Sequence, residues 1–299
     1  GIGGELFRIN RTREEFIPDR FRMAVDSERG GIAGVTLLDS WTAVEGDKDR
    51  EEQPLLLERK GGRILLEMGS LTGKAEDDRE EGWNGRWSEK IVKRDDQSME
   101  IIFEKTVEFE GKKVQVRKKI SPASAGDFDK LLGDAPKYAD GRLLHVTIEL
   151  TSDKTIGSFP FRLYGPCAIA STSGRWVGLD MEFAYGTNYS NRNGAETHIY
   201  EPDEIPALEG NKDVAWLATV NSYFTALMFP RDEKPLNEGV VGLYADQIAY
   251  PVDAVKDEKL KESLRKHKSF QTAFKCTPRL PAKKTQTIEF GLYLGPRFG

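Results

Sequence analysis

Strict alternation of apolar and polar residues is the feature that most constrains how this chain folds. In LHVTIEL (144–150) every second residue is apolar, and TIEFGLYLGP (287–296) repeats the pattern. Because successive side chains of a strand point to opposite faces of a sheet, such alternation predicts strands with one face in a core. Similar runs recur along the chain between turns of Gly, Asp, Asn and Pro, so we predict well over ten short strands.

Turn signals support antiparallel pairing. Glu110-Gly111 separates two alternating runs in TVEFEGKKVQVRK, which is typical of a β-hairpin. The pairs Gly30-Gly31 and Gly61-Gly62 also sit between strand-like runs, where tight turns require positive φ. Phosphate binding by these glycines is the less favoured interpretation.

Helical signals are weak and local. We expect one or two turns near 128–132 and a short helix within 253–267. The acidic stretch 72–90 is predicted to be a surface loop anchored by Trp83 and Trp87. With no repeat and no linker rich in Pro, Gly or Ser, we predict an all-β fold for residues 1–299, a single large antiparallel sandwich domain with one or two short helices.

The most apolar stretch is WLATVNSYFTALMFP (216–230). It is too short to span a bilayer and is interrupted by Asn221 and Ser222, a predicted turn. We therefore expect a pair of central core strands that ends at Pro230, where a ladder donor is lost.

Composition narrows the classes of function. The net charge of −5, with both signs interspersed, argues against a nucleic-acid partner. Cys167 and Cys276 are far apart and belong to no CxxC or Cys/His motif. Cys276 is in phase with Phe270 and Phe274, so a buried free thiol is favoured over a disulfide.

Chemistry-bearing motifs are scarce. The three histidines, His145, His198 and His267, show no metal-ligand spacing, and neither a nucleophile elbow nor a phosphate loop occurs. Asp180 and Glu182 share a predicted strand face, but solvated carboxylates are more common there than a catalytic pair. These patterns predict no catalytic residue, no metal and no cofactor.

Tyr185 and Tyr189 flank the loop GTNYSNRNG. This loop either contacts a sugar or peptide or is a polar turn with half-buried tyrosines, and the second interpretation is favoured.

Four segments resemble one family when taken together and in order: FRMAVDSERGGIAGVTLLDS (21–40), FRLYGPCAIA (161–170), VAWLATVNSYFTALMFP (214–230) and IEFGLYLGPR (288–297). They resemble the large periplasmic domain of the YidC-type bacterial membrane-protein insertases. The residues that carry the resemblance are Gly30, Gly31, Tyr164, Gly165, Pro166, Trp216, Tyr223, Phe224, Pro230, Gly295 and Pro296. Insertions around 127–141 and 255–268 and the long acidic loop at 72–90 depart from the family pattern.

The resemblance implies a β-supersandwich similar to galactose mutarotase-like domains, excised from between membrane spans. It implies a bacterial inner-membrane protein with this domain on the periplasmic side. It further implies a non-catalytic accessory role in membrane-protein insertion and folding, with Sec translocon components or nascent inner-membrane proteins as partners.

A second hypothesis is a sugar-binding protein or an aldose-epimerase-like enzyme on the same kind of sandwich. Such an enzyme needs a histidine and a carboxylate that converge in a cleft. The candidates are His145 or His198 with Glu149 or Glu182, none of which has a convincing local signature.

Overall fold

The computed structural model describes most of the chain, and strands dominate it. The described residues are 13–18, 20–38, 53–95, 98–128, 141–170, 181–187, 196–201, 204, 208–209, 214–231, 239–256 and 258–297.

The strands of the described residues are named in chain order. They are β1 (Glu15–Phe16), β2 (Phe21–Asp26), β3 (Gly31–Leu37), β4 (Gln53–Leu56), β5 (Met68–Gly69), β6 (Ser88–Lys93), β7 (Met99–Phe109), β8 (Lys112–Ala123), β9 (Leu143–Ser152), β10 (Phe161–Tyr164), β11 (Glu182–Thr187), β12 (Glu196–Tyr200), β13 (Leu208–Glu209), β14 (Val214–Val220), β15 (Phe224–Pro230), β16 (Val240–Ala249), β17 (Lys268–Cys276) and β18 (Thr285–Pro296).

Within the described part of the chain these strands form three sheets, and every pairing between them is antiparallel. The large sheet has the order β12-β11-β14-β15-β18-β9-β8-β7-β6, a five-stranded sheet has the order β13-β16-β17-β10-β5, and a four-stranded sheet has the order β1-β2-β3-β4. The predicted all-β class is confirmed, because hairpin turns and alternating strands account for nearly all of the described architecture.

One apolar core joins the sheets. Phe274 on β17 and Phe290 on β18 have ring centroids 5.2 Å apart, so the five-stranded and nine-stranded sheets face each other. Phe21 and Met23 of the four-stranded sheet belong to the same buried cluster. The alternation of LHVTIEL is realised in β9, where Val146 and Ile148 point into this core.

The predicted hairpin turns have the expected backbone. Glu110 and Gly111 connect β7 to β8 with φ of 50° and 69°, and Gly30 connects β2 to β3 with φ of 60°. Gly30 also lies so close to the ring of Trp87 that a Cβ atom would be 2.4 Å from it. Gly61 and Gly62 likewise have positive φ.

The helices differ in part from the sequence prediction. The stretch predicted as a surface loop contains helix α1 (Ala75–Glu80) and the start of β6, although Trp83 and Trp87 are buried anchors as expected. The helix predicted within 253–267 is divided into a 3-10 turn at Val252–Ala254 and helix α2 (Glu258–Leu264). Near 128–132, the described residues hold a 3-10 turn at Ala125–Phe128, and the rest of that prediction lies outside the described residues.

The apolar stretch at 216–230 forms β14 and β15, which lie inside the large sheet as predicted. Asn221 makes the turn, since its Oδ1 accepts hydrogen bonds from the backbone N–H groups of Tyr223 and Phe224, at 3.0 and 2.7 Å. Tyr223 was predicted to continue the buried strand, but it lies in this turn and is 65% exposed. Cys167 and Cys276 are both buried free thiols, as favoured for Cys276.

Candidate functional site

The outer face of the large sheet, opposite the core, carries a compact group of ionisable side chains. His145 on β9 lies opposite Gly291 of β18, and the next outward residue of β18 is Glu289. The diagonal neighbours meet: His145 Nε2 lies 2.9 Å from Glu289 Oε1. Cross-strand neighbours of this kind are within reach of long side chains.

Arg231 completes the group from the end of β15. Its backbone N–H donates to the carbonyl of Glu289 at 2.9 Å, which fixes the start of its side chain beside β18. Its guanidinium donates to Glu289 Oε1 at 3.0 Å and lies 3.4 Å from His145 Nε2. We call His145, Glu289 and Arg231 the outer-face triad.

The triad is partly shielded from water, which sets its protonation. Burial first, and the positive charges of Arg231 and Lys119 second, lower the pKa of His145, although the carboxylate of Glu289 raises it. The imidazole is therefore neutral at pH 7. Asp127, whose pKa is lowered mainly by the backbone N–H of Ser124, adds a nearby negative charge.

An apolar cluster borders the triad. Leu143, Phe229 and Tyr293 are buried together on the outer face, and Trp216 packs against them. Gly291 makes this packing possible, because a Cβ atom there would lie 2.2 Å from the ring of Phe229. A polar triad beside a largely apolar wall is the usual composition of a small-molecule site.

The geometry supports proton transfer by the imidazole. A carboxylate only accepts hydrogen bonds and a guanidinium only donates them, so the 2.9 Å contact with Glu289 favours a proton on Nε2 over the longer 3.4 Å contact with Arg231. Nδ1 is then the acceptor nitrogen of the ring. When it takes a proton, the imidazolium is stabilised by Glu289, as in other carboxylate-histidine pairs.

Of the candidates in the sugar-active hypothesis, His145 contacts a carboxylate, but this carboxylate is Glu289 and neither Glu149 nor Glu182. Glu149 points to the same sheet face as His145 but pairs with Arg117 at 2.9 Å. Glu182 pairs with Arg297 at 3.4 Å. Asp180 and Tyr189 lie outside the described residues.

His198 belongs to a different environment. Its ring stacks on Tyr185, with ring centroids 4.7 Å apart, near the β12 edge of the large sheet. Tyr185 also stacks on Tyr200 and is buried, so it is a packing residue and not an exposed sugar-contacting side chain.

Glu289 and Arg231 were not among the predicted site residues. The outward phase of Glu289 was visible in TIEFGLYLGP, and Arg231 directly follows the predicted strand end at Pro230. No local signal showed that β18 lies between β9 and β15, which is what brings the three side chains together.

The residues that carried the family resemblance occupy strand ends and turns, apart from Trp216 within β14, and none belongs to the triad. They are Gly30, Gly31, Tyr164, Gly165, Pro166, Trp216, Tyr223, Phe224, Pro230, Gly295 and Pro296. Pro166 accepts a hydrogen bond from the Thr272 hydroxyl at 2.8 Å, and Phe224 pairs with Pro296 across β15 and β18.

The described residues contain no group of three or more His, Cys, Asp or Glu side chains positioned for a metal ion. None of their helices combines the length and apolarity needed to cross a lipid bilayer.

This protein resembles known proteins in its fold and not in its sequence. No protein-family model and no curated protein matches the sequence. Among solved structures, Slr1438 from Synechocystis matches with a TM-score of 0.51 at 8% identity, over 98% of this chain and 100% of that one.

Two further matches have lower TM-scores. A galactose mutarotase-related enzyme from Lactobacillus acidophilus has a TM-score of 0.47 at 11% identity, over 95% and 99% of the two chains. YeaD from Salmonella typhimurium has a TM-score of 0.46 at 8% identity, over 93% and 88%. The match to Slr1438 shows a shared fold, a large antiparallel β-sandwich.

The predicted membership of the YidC-type insertases is wrong, since no family model and no curated protein supports it and none of the matching structures named above is an insertase. The motifs behind that resemblance form two paired strands, an Asx turn and glycine turns. A large antiparallel sandwich contains such elements whatever its function. The non-catalytic insertase role and the inner-membrane location rested on the same resemblance and are also wrong. The expectation of Sec translocon components or nascent inner-membrane proteins as partners stays untested.

The expectation of no enzymatic activity stays a prediction. Identities of 8–11% show the fold alone, and fold does not determine function.

Proposed function

We propose that this chain binds an aldose at the outer-face triad and interconverts its two anomers, with His145 as the acid–base residue. The observation that carries the proposal is the 2.9 Å contact between His145 Nε2 and Glu289 Oε1 on a partly shielded sheet face. A neutral imidazole oriented by a carboxylate is suited to this proton transfer.

The reaction balances with one acid–base group. His145 Nδ1 takes the proton of the hydroxyl on C1, the C1–O1 bond becomes a carbonyl, and the electrons of the C1–O5 bond go to O5. The imidazolium returns the proton to O5, which gives the open-chain sugar. After rotation about C1–C2, the reverse steps close the ring on the other face of the carbonyl.

Glu289 stabilises the imidazolium that forms between these steps. Its distance from His145 is that of a charge-assisted hydrogen bond once the ring is protonated. The apolar cluster that includes Phe229 and Tyr293 borders the triad and limits the access of water from one side.

The proposal is tested by polarimetry with freshly dissolved α-D-glucose and α-D-galactose. We expect the wild-type protein to accelerate mutarotation above the spontaneous rate and His145→Ala to lose the acceleration. Glu289→Gln should lower the rate about a hundredfold or more, since general acid–base catalysis contributes on that order.

Glu149→Gln is the matched control. It changes a carboxylate on the same face of the same strand that is paired with Arg117 and not with His145, and it should keep the wild-type rate. Ligand-observed NMR of the same sugars separates binding from catalysis. Background rates with binding that His145→Ala abolishes would reduce the proposal to a sugar-binding protein, and background rates without binding would overturn it.

A further inference from the structure

Arg231 is placed to influence the protonation of His145, on which the proposed function rests. It follows Pro230, whose ring fixes the local φ, and its own N–H is bonded to the backbone of Glu289. The origin of the side chain is therefore held at the strand that carries the carboxylate, so the guanidinium stays near Glu289.

The guanidinium contacts both of its neighbours. It donates to Glu289 Oε1 at 3.0 Å, which orients the carboxylate beside His145. It lies 3.4 Å from His145 Nε2, where a permanent positive charge disfavours the imidazolium. One side chain thus orients Glu289 and disfavours a charged His145.

The other charges that face His145 do not replace this effect. Lys119 on β8 adds a weaker positive influence on His145, and Asp127 in the 3-10 turn at Ala125–Phe128 adds a negative one. Glu289 favours the imidazolium. Arg231 is the charge that contacts both members of the pair within 3.4 Å.

We propose that Arg231 is a positioning residue that keeps His145 available as a base at neutral and mildly acidic pH, and that it does so by placing a permanent positive charge beside His145 and by holding Glu289 in place. The proposal deepens the proposed function and sets the pH range in which that function operates.

The test is an NMR titration of the histidine ring signals in the full chain, which contains three histidines. The signal of His145 is assigned as the one absent from His145→Gln. We expect Arg231→Met to raise the pKa of His145, because the opposing positive charge is lost and Glu289 remains. We expect Glu289→Gln to lower it, because the favourable negative charge is lost and Arg231 remains.

Two control variants make the measurement specific. Arg117→Met removes an arginine from the same sheet face, where it pairs with Glu149 and Glu104, and should leave the titration of His145 unchanged. Arg231→Lys keeps the positive charge and should move the pKa of His145 less than Arg231→Met does.

The pH profile of mutarotation gives a second readout. In Arg231→Met the fall of the mutarotation rate on the acidic side of the profile should begin at a higher pH. Below the new pKa of the base, the rate should fall about tenfold for each pH unit. A merely structural role would lower the rate at every pH without moving the pH at which this fall begins.

The outcomes separate the two proposals. A titration of His145 that is unchanged in Arg231→Met, or that moves equally in Arg117→Met, overturns the role of Arg231 even if mutarotation is observed. A specific shift without any mutarotation supports the role of Arg231 in the triad and overturns the proposed reaction. If Arg231→Met does not fold, a pKa of His145 that fails to fall in Glu289→Gln contradicts the inference.

Discussion

Lys118 is a charged residue type that is expected at the surface, but it lies in the core. It lies on the inward face of β8, in phase with the core residues Val116 and Ile120, and is completely buried. Its amine donates to the carbonyls of Gly30 and Leu66 and lies 4.9 Å from the centre of the Trp87 ring. Burial lowers its pKa to about 7, against a smaller opposing effect of Glu67.

The lowered pKa predicts a pH dependence of stability. Between pH 7 and about 10 the unfolded chain keeps a proton on this lysine that the folded chain has released. The free energy of unfolding should therefore rise with pH in this window, by at most about 1.4 kcal/mol per pH unit. The neutral amine still has two N–H groups for its two carbonyl partners, so its hydrogen bonds survive.

Urea unfolding at pH 7, 8, 9 and 10 checks this prediction in the wild type and in Lys118→Met. The rise should be lost in Lys118→Met and kept in Lys119→Met, its neighbour on the outer face. Equal slopes in the wild type and Lys118→Met would show that Lys118 does not titrate in this range.

At the residue scale, sequence therefore predicted burial well for apolar side chains and poorly for charged ones. Phe270, Phe274 and Cys276 were placed in the core by their phase alone and are fully buried. The strand alternation predicts that Lys118 faces the core together with Val116. Its burial is stabilised by hydrogen bonds to the carbonyls of Gly30 and Leu66, which are distant in sequence.

At the scale of elements, the segment between β5 and β6 is held to the rest of the fold by a buried carboxylate. Asp78 of helix α1 is 1% exposed. It accepts a hydrogen bond from the backbone N–H of Ser70 at 2.7 Å and forms an ion pair with Arg63. Arg63 also donates to Glu67 at 2.8 Å, so the helix and two preceding turns share one charge network.

Asp78→Ala should strongly destabilise the protein. Removing one partner leaves a largely buried guanidinium with less compensation and an unpaired backbone donor, a change that typically costs about 3–5 kcal/mol. Chemical denaturation measures the loss, and Glu76→Ala, an exposed carboxylate of the same helix, is the control. A loss below about 1 kcal/mol would mean that the network contributes little to stability.

The sequence predicted strands better than it predicted this segment. Stretch 72–90 is acidic and polar, which is typical of a loop, and its six-residue helix is too short to produce a clear period. The helix depends on its tertiary anchors, Asp78 and the buried Trp83, and these are long-range contacts.

At the scale of the whole molecule, the three sheets share one contiguous apolar core. Phe274 and Phe290 join the five-stranded and nine-stranded sheets at its centre, and residues of the four-stranded sheet pack into the same cluster. A shared core of this kind favours cooperative unfolding, which the predicted single domain would also require.

Phe274→Ala tests this cooperativity. The loss of a fully buried phenylalanine should cost about 3–5 kcal/mol. If the sheets unfold together, tryptophan fluorescence and far-UV circular dichroism should give coincident transitions in the wild type, and both should move equally in the variant. Tyr223→Ala, at an exposed turn residue, should move neither. Transitions that separate would contradict a single domain.

The sequence by itself determined the local structure of this protein: alternating strands, hairpin turns at glycines, the Asn221 turn and the apolar faces that form the core. These features depend on backbone geometry and on side-chain phase, which are local properties. The order of strands in the sheets was decided only by the tertiary structure. That order puts β18 between β9 and β15, and it brings His145 together with Glu289 and Arg231 from three separate segments. No local sequence pattern predicts that these three side chains lie together, because the strand order depends on the packing energy of the whole core.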